Sequence, residues 1–150
     1  YPRRMETAGN ILRYRPASTQ VRGCADAKLV DVARVVAAGL LAAGDNISVC
    51  LDPSLGEGLG RALRSVGVAV TTASDEDWYA SLGASRVRLV GGNPSRAADE
   101  ADGDPDLALW ANEVTSAPQV ELLPFLREQS VSMTAHRFGN PDAGVLSVRL

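Results

Sequence analysis

Among the 150 residues of this sequence, side chains suited to nucleophilic or acid–base chemistry are scarce: two cysteines, Cys24 and Cys50, and one histidine, His136. A thiol becomes a nucleophile when a neighbour such as a histidine or a basic helix terminus lowers its pKa, and the sequence places neither of these beside either cysteine. His136 has the type of a general base, but it stands in an alternating run where it reads as a polar residue on the outer face of a strand. One histidine and two unrelated cysteines do not make a metal site, and two cysteines do not staple a domain of this length. The acidic stretch 99–106 has the charge to chelate a cation, yet its Pro and Gly content suits a solvated loop better.

The glycines invite a different chemistry, the cradling of a pyrophosphate at a helix N-terminus. That fingerprint needs G-x-G-x-x-G after a strand. Gly56, Gly58 and Gly60 are spaced two and two, with Arg61 where the third glycine belongs, and Asp52 and Glu57 crowd the helix start. Carboxylates at the positive end of a helix dipole compete with phosphate. The turn Gly91-Gly92-Asn93 is less hostile, but no acidic ribose-binding residue follows it on a strand. No specific nucleotide site is expected.

The elements that would position these residues alternate between strand and helix. Residues 11–15 alternate as a short strand stopped by Pro16, and residues 19–22 pair with it or continue it. From residue 27 to 43 Leu29, Val32, Val36, Leu40 and Ala43 recur at helical steps, with Asp26 as N-cap and Gly44 as stop. Further apolar residues widen that face, so the helix is expected to be covered on two sides. Residues 46–51, 68–72, 86–90 and 107–111 read as buried strands. Ser54-x-x-Glu57, Ser74-x-x-Asp77 and Ser116-x-x-Gln119 have the form of capping boxes opening the helices between and after them. Residues 93–106 read as a solvated excursion with at most a weak helix at 95–101. A last amphipathic helix ends near Arg127. A final strand, 130–136, then sets Ser130, Ser132, Thr134 and His136 on one face and Val131, Met133 and Ala135 on the other, the latter packing on the domain's own core.

This order is that of an α/β protein, a Rossmann-like, mostly parallel sheet with crossover helices plus a flap of N- and C-terminal strands. The expected organisation is flap and linker strands at 1–23, the Rossmann-like domain at 24–141 closing on a latch strand at 130–136, and a tail at 142–150. Composition agrees with one soluble domain: 45% hydrophobic, 22% charged, and no window apolar enough to span a bilayer. A net charge of −3 argues against nucleic acid as a partner. Lys28, the only lysine among 15 basic residues, reflects codon bias. Arg3, Arg4, Arg13, Arg15 and Arg22 form a basic stretch suited to an acidic neighbouring surface. The chain opens on Tyr1 with no initiator Met and no apolar h-region, so a cytoplasmic piece of a longer polypeptide is expected.

Two segments carry a family resemblance. Residues 9–16, GNILRYRP, with the apolar helix and the strand 46–51, resemble the opening of the C-terminal domain of proline utilization A. Residues 120–132, VELLPFLREQSVS, followed by Gly139-Asn140, are similar to that family's closing helix and strand. The order of elements between them agrees from about Gly9 to Pro141. The resemblance implies a domain from a bifunctional enzyme joining a flavin-dependent proline dehydrogenase to an NAD-dependent L-glutamate γ-semialdehyde dehydrogenase. It implies NAD and FAD in the parent enzyme and no cofactor or catalytic residue in this domain. It further implies an aldehyde dehydrogenase-like shape with an oligomerisation flap, packed as a lid over the semialdehyde channel of the upstream dehydrogenase domain. Ser130, Ser132, Thr134 and His136 are the expected interdomain contact. The alternative is a free-standing Rossmann-like domain that binds a nucleotide through an atypical Gly-rich turn.

Overall fold

A computed structural model of the chain describes residues 8–134, 136–137 and 140–141. Residues 16–126 form one unit, and the described residues of 1–15 and 127–150 form another. In chain order the elements are β1 (Ala8–Pro16), β2 (Thr19–Gly23), α1 (Leu29–Ala43), β3 (Ile47–Leu51), α2 (Glu57–Ser65), β4 (Ala69–Thr72) and α3 (Asp75–Ala80). There follow β5 (Arg86–Val90), α4 (Pro94–Glu100), β6 (Ala108–Trp110), α5 (Pro118–Leu122), β7 (Leu126–Thr134), β8 (His136–Arg137) and β9 (Asn140–Pro141).

The larger unit is a five-stranded sheet in the order β4-β3-β2-β5-β6, every pairing parallel. Parallel strands need crossovers, and α1 to α4 supply them. Two clusters fill the layers. Val21, Val32, Val35, Val36, Val49 and Phe125 are central to one; Cys24, Cys50, Trp78, Tyr79, Val87 and Leu89 make the other. Phe125 is fully buried and packs where α1 places Gly39, whose added Cβ would stand 2.7 Å from the ring. Burying such a side chain stabilises by about 1.5–3 kcal/mol, and the close approach requires glycine opposite it.

Several boundaries depart from expectation. β2 is the central strand of the sheet, not part of a flap at 1–23: Val21 and Arg22 are fully buried and both edges of the strand are paired. Helix α1 starts at Leu29 with Lys28 at the N-cap position, because the Asp26 carboxylate is engaged elsewhere. It stops at Gly44, where φ is 55°. Ser74 caps α3 as its box predicts, accepting from the Asp77 N–H at 3.1 Å. Ser54 does not cap α2. Its N–H and hydroxyl both donate to Asp52 Oδ1, and Gly56, at φ 79°, takes the N-cap position. Ser116 does not cap α5 either; Thr115 Oγ1 accepts from the Ala117 N–H just before that helix. The excursion at 93–106 contains a capped helix, α4, in which Asn93 accepts from the N–H groups of Ser95 and Arg96.

The last amphipathic helix is shorter than its pattern. After α5 a single tight turn at Leu123–Phe125 leads into β7. Pro124 cannot continue the helical ladder, and Arg86 takes the carbonyls of Pro124 and Leu126 at 2.7 Å each. The closing strand therefore begins four residues before the expected Ser130. In the smaller unit β7 pairs with β1 in a two-stranded sheet. Arg13 donates to Gln129 and Tyr14 to Glu128, so one strand's numbers rise as the other's fall, the order of an antiparallel ribbon. β8 and β9 form a separate antiparallel pair. β7 is not one of the five strands of the parallel sheet. Residues 135 and 142–150, among the expected latch and tail, lie outside the described residues, as do Arg3 and Arg4.

Candidate functional site

In an open parallel sheet ligands bind outside the carboxyl ends of the strands, at the point where strand order reverses. Here the reversal falls between β2 and β5, whose ends, Gly23 and Val90, are paired neighbours. The turn that would hold a pyrophosphate is therefore Gly23-Cys24-Ala25-Asp26-Ala27-Lys28, after the central strand. The Gly56–Gly60 turn follows the neighbouring strand β3 instead. The switch-point turn contains one glycine where the fingerprint needs three.

Three carboxylates occupy this edge. Asp26 Oδ1 accepts from the backbone N–H of Gly92 at 2.7 Å, across the switch point. Asp52, at the end of β3, accepts from Ser54 through Oδ1 and from the Asp75 N–H through Oδ2 at 3.0 Å. Asp75, opening α3, accepts from Arg22 Nη2 at 2.6 Å and from the Ala25 N–H at 3.1 Å. Each carboxylate takes a backbone N–H that an anionic ligand would otherwise seek. Burial works to raise the Asp52 pKa. The hydroxyl and N–H of Ser54, the N–H of Asp75 and the nearby Arg22 outweigh it, and the carboxyl titrates below its ordinary value.

Arg22 organises the edge from beneath. It is fully buried and donates through Nη1 to the Ala73 carbonyl at 3.0 Å and to Cys50 Sγ at 3.2 Å. Its guanidinium lies 5.3 Å from the Trp78 ring, whose indole N–H donates to Gln20. The sequence placed Arg22 in a basic surface stretch; the fold makes it the internal counter-ion of Asp75 and Asp52. The same arrangement puts a cation beside Cys50, which sequence spacing did not reveal. Cys24 is nevertheless no thiolate: burial first, then the Asp75 charge, push its thiol up to about 12 against the pull of Arg22.

Gly91 and Gly92, both at φ 72°, bring β5 against this cluster. A Cβ on Gly92 would meet Cys24 Sγ at 2.5 Å and Tyr79 Oη at 2.7 Å, and one on Gly91 would run into Asp26. These glycines serve close packing between protein groups.

Two clefts open nearby. One of about 400 Å³ at the switch point is lined by Asp26, Lys28, Asp31, Gly92 and Glu113, an acidic wall with one cation. The other, about 520 Å³, lies between the ends of β3 and β4 and the start of α2, with Asp52, Glu57, Arg61 and Arg64 on its wall. Arg61 and Glu57 pair with each other at 3.3 Å in solvent. Among the described residues no group of three or more His, Cys, Asp or Glu side chains is disposed to hold a metal ion. No described helix is long and apolar enough to cross a membrane.

The expected contact residues lie in the smaller unit. Ser130 and Ser132 are exposed on β7, Thr134 ends that strand, and His136 opens β8.

The fold and edge define a doubly wound α/β domain whose ligand-binding edge is occupied by its own carboxylates. No family model matches the chain, and no curated protein matches it. Among solved structures the chain is similar to that of Proline Utilization A (PutA) from Corynebacterium freiburgense, at 24% identity and a TM-score of 0.42. The match covers 90% of this chain and 11% of that one, so this chain spans a small part of that protein's length.

Proposed function

We propose that this chain is a non-catalytic lid and assembly domain of a bifunctional proline-catabolic enzyme that carries proline to glutamate. In that role it supports the L-glutamate γ-semialdehyde dehydrogenase of the same polypeptide and covers its substrate channel. NAD and FAD belong to the parent enzyme, and this domain holds neither. The observation that carries the non-catalytic part is the carboxyl edge: Asp26, Asp52 and Asp75 take the N–H groups of Gly92, Ser54, Asp75 and Ala25 that a phosphate would need. The link to proline rests on the resemblance of residues 9–16 and 120–132 to the family's C-terminal domain.

The exposed ribbon supports the assembly role. Leu12 is 63% and Tyr14 52% exposed on β1, and Ser130 and Ser132 are exposed on β7. A two-stranded ribbon is marginal alone in water and gains from a neighbour that pairs its edge or covers its face. Ser130, Ser132, Thr134 and His136 would make the polar side of that contact with the dehydrogenase domain.

The test is deletion of the residues after Glu128 from the full-length enzyme. Coupled turnover of proline to glutamate is compared with each half-reaction measured alone. The proposal expects impaired aldehyde oxidation or a longer lag in transfer, with proline oxidation nearly unchanged. A truncated enzyme that matches the intact one in coupled rate and lag would reduce the domain to a spacer. The second reading, a free-standing nucleotide-binding domain, draws on the 520 Å³ cleft with Arg61 and Arg64 beside the start of α2.

A further inference from the structure

The turn that leads from α4 toward β6 carries the chain's one Asp-Gly pair, Asp102-Gly103. Every other aspartate and asparagine is followed by a residue with a side chain, and Asp52 and Asp104 precede prolines, which have no N–H. Asp102 has a φ of 47°, the one positive φ outside glycine among the described residues, and Gly103 follows at 70°. The Asp104 N–H donates to the Ala101 carbonyl at 2.9 Å and closes a four-residue turn. Positive φ at both central residues makes this a type I′ turn, in which Asp-Gly is a favoured pair. Residues 102–106 are exposed. Among the described residues no group donates to the Asp102 carboxylate, and the Gly103 N–H donates to none. A Cβ on Gly103 would meet nothing within 4 Å, so the peptide between the two residues stands in open space.

We propose that Asp102 is a site of isoaspartate formation and, once converted, a substrate for an S-adenosylmethionine-dependent carboxyl methyltransferase. The Gly103 amide nitrogen attacks Cγ of the Asp102 carboxyl. An N–C bond forms, the amide proton and the carboxyl hydroxyl leave as water, and a five-membered succinimide remains. Water then adds to one of the two ring carbonyls. Opening at Cγ restores aspartate; opening at the α-carbonyl leaves the main chain running through Cβ, with a free α-carboxylate beside it. No co-reactant but water takes part. Ring closure eclipses Cβ with the Gly103 nitrogen about the Cα–C bond and so sets ψ of Asp102 at about −120°, which with a positive φ is the first central position of a type II′ turn. The I′ and II′ forms differ by a flip of the central peptide, and glycine at residue 103 accepts φ of either sign. The fold therefore holds Asp102 one peptide flip from the ring geometry, at a φ that an unfolded aspartate seldom visits. The product adds one main-chain atom to the turn that precedes the edge strand β6. The inference concerns this turn alone and does not rest on the proposed function.

Ageing of the 150-residue chain at neutral pH tests it, once folded and once unfolded in guanidinium chloride. Peptides are mapped by mass spectrometry with electron-transfer fragmentation, which tells isoaspartate from aspartate. A second portion is labelled by an isoaspartate carboxyl methyltransferase with radioactive S-adenosylmethionine. Isoaspartate is expected at residue 102, with a methyl label that rises with time and forms at least as fast in the folded chain as in the unfolded one. Asp102→Glu, whose ring would need six members, is expected to lose that label with unchanged far-UV circular dichroism. Asp102→Asn reaches the same ring by losing ammonia and is expected to gain the label faster than the wild type. A folded chain that acquires isoaspartate at residue 102 more slowly than the unfolded chain, or not at all, overturns the proposal. So does an Asp102→Glu variant labelled as the wild type is, which would put the modification elsewhere. Isoaspartate found at residue 102 that the methyltransferase leaves unlabelled overturns the assignment as its substrate.

Discussion

Asp26 Oδ1 and the backbone N–H of Gly92 meet at 2.7 Å across the crevice where the strand order of the sheet reverses. An anion's place at the head of a doubly wound sheet is thereby taken by the protein's own carboxylate. The same bond draws β5's outgoing turn so close to β2's that only glycine fits at residues 91 and 92. Gly92→Ala combines a φ of 72° with a Cβ pressed on Cys24 and Tyr79. We predict a loss of at least about 2 kcal/mol, read as a lowered urea midpoint at constant slope. A variant within about 0.5 kcal/mol of the wild type would show that this junction is looser than described.

A buried ion pair ties the end of the chain's larger unit to the sheet. Arg88 and Glu121, both almost fully buried, pair at 3.0 Å, and Arg88 also donates to the carbonyls of Leu89 and Asn112. Glu121 accepts from the Thr115 N–H as well. Glu121→Ala would leave a buried guanidinium without its counter-ion, a change that costs about 3–5 kcal/mol. Thermal and urea unfolding of this variant should show that loss, while exposed Glu113→Ala should shift stability by less than about 0.5 kcal/mol.

The Asp52 carboxyl gives a pH dependence of known sign. Its folded pKa lies below the ordinary value near 3.9. The stability it supplies is therefore complete above that value and is lost as pH falls through the folded pKa. Urea midpoints should hold between about pH 5 and 7 and decline below about pH 4. In Asp52→Asn the unfolding free energy at neutral pH should be lower by about 1–3 kcal/mol and the acid decline of the midpoint shallower. An Asp52→Asn profile parallel to the wild type would assign the acid loss to other carboxyls.

Much of the sheet was legible because its buried strands are apolar runs between turn residues, and β5 falls at residues 86–90 as read. β2 was not, because Gln20 and Arg22 make it look like a surface segment. Arg22 is buried only because Asp75, 53 positions away in sequence, and Asp52 neutralise it there. Local patterning carries no signal for a partner that distant. The capping boxes show the same limit at short range. Ser74 has no competitor and caps α3. Ser54 follows Asp52 by two residues, and that carboxylate captures both its N–H and its hydroxyl. The carboxyl-edge cluster could have been suspected from one pattern, an aspartate at or just beyond the ends of β2, β3 and β4, but its internal pairing needed the fold.

The central claim is that the sheet's ligand-binding edge is closed by its own carboxylates, and calorimetric titration of the chain with NAD and with FAD tests it most directly. The account predicts no specific heat with either cofactor at about millimolar concentration. A dissociation constant in the micromolar range for either would contradict it, and would make the cleft beside Arg61 and Arg64 a working nucleotide site.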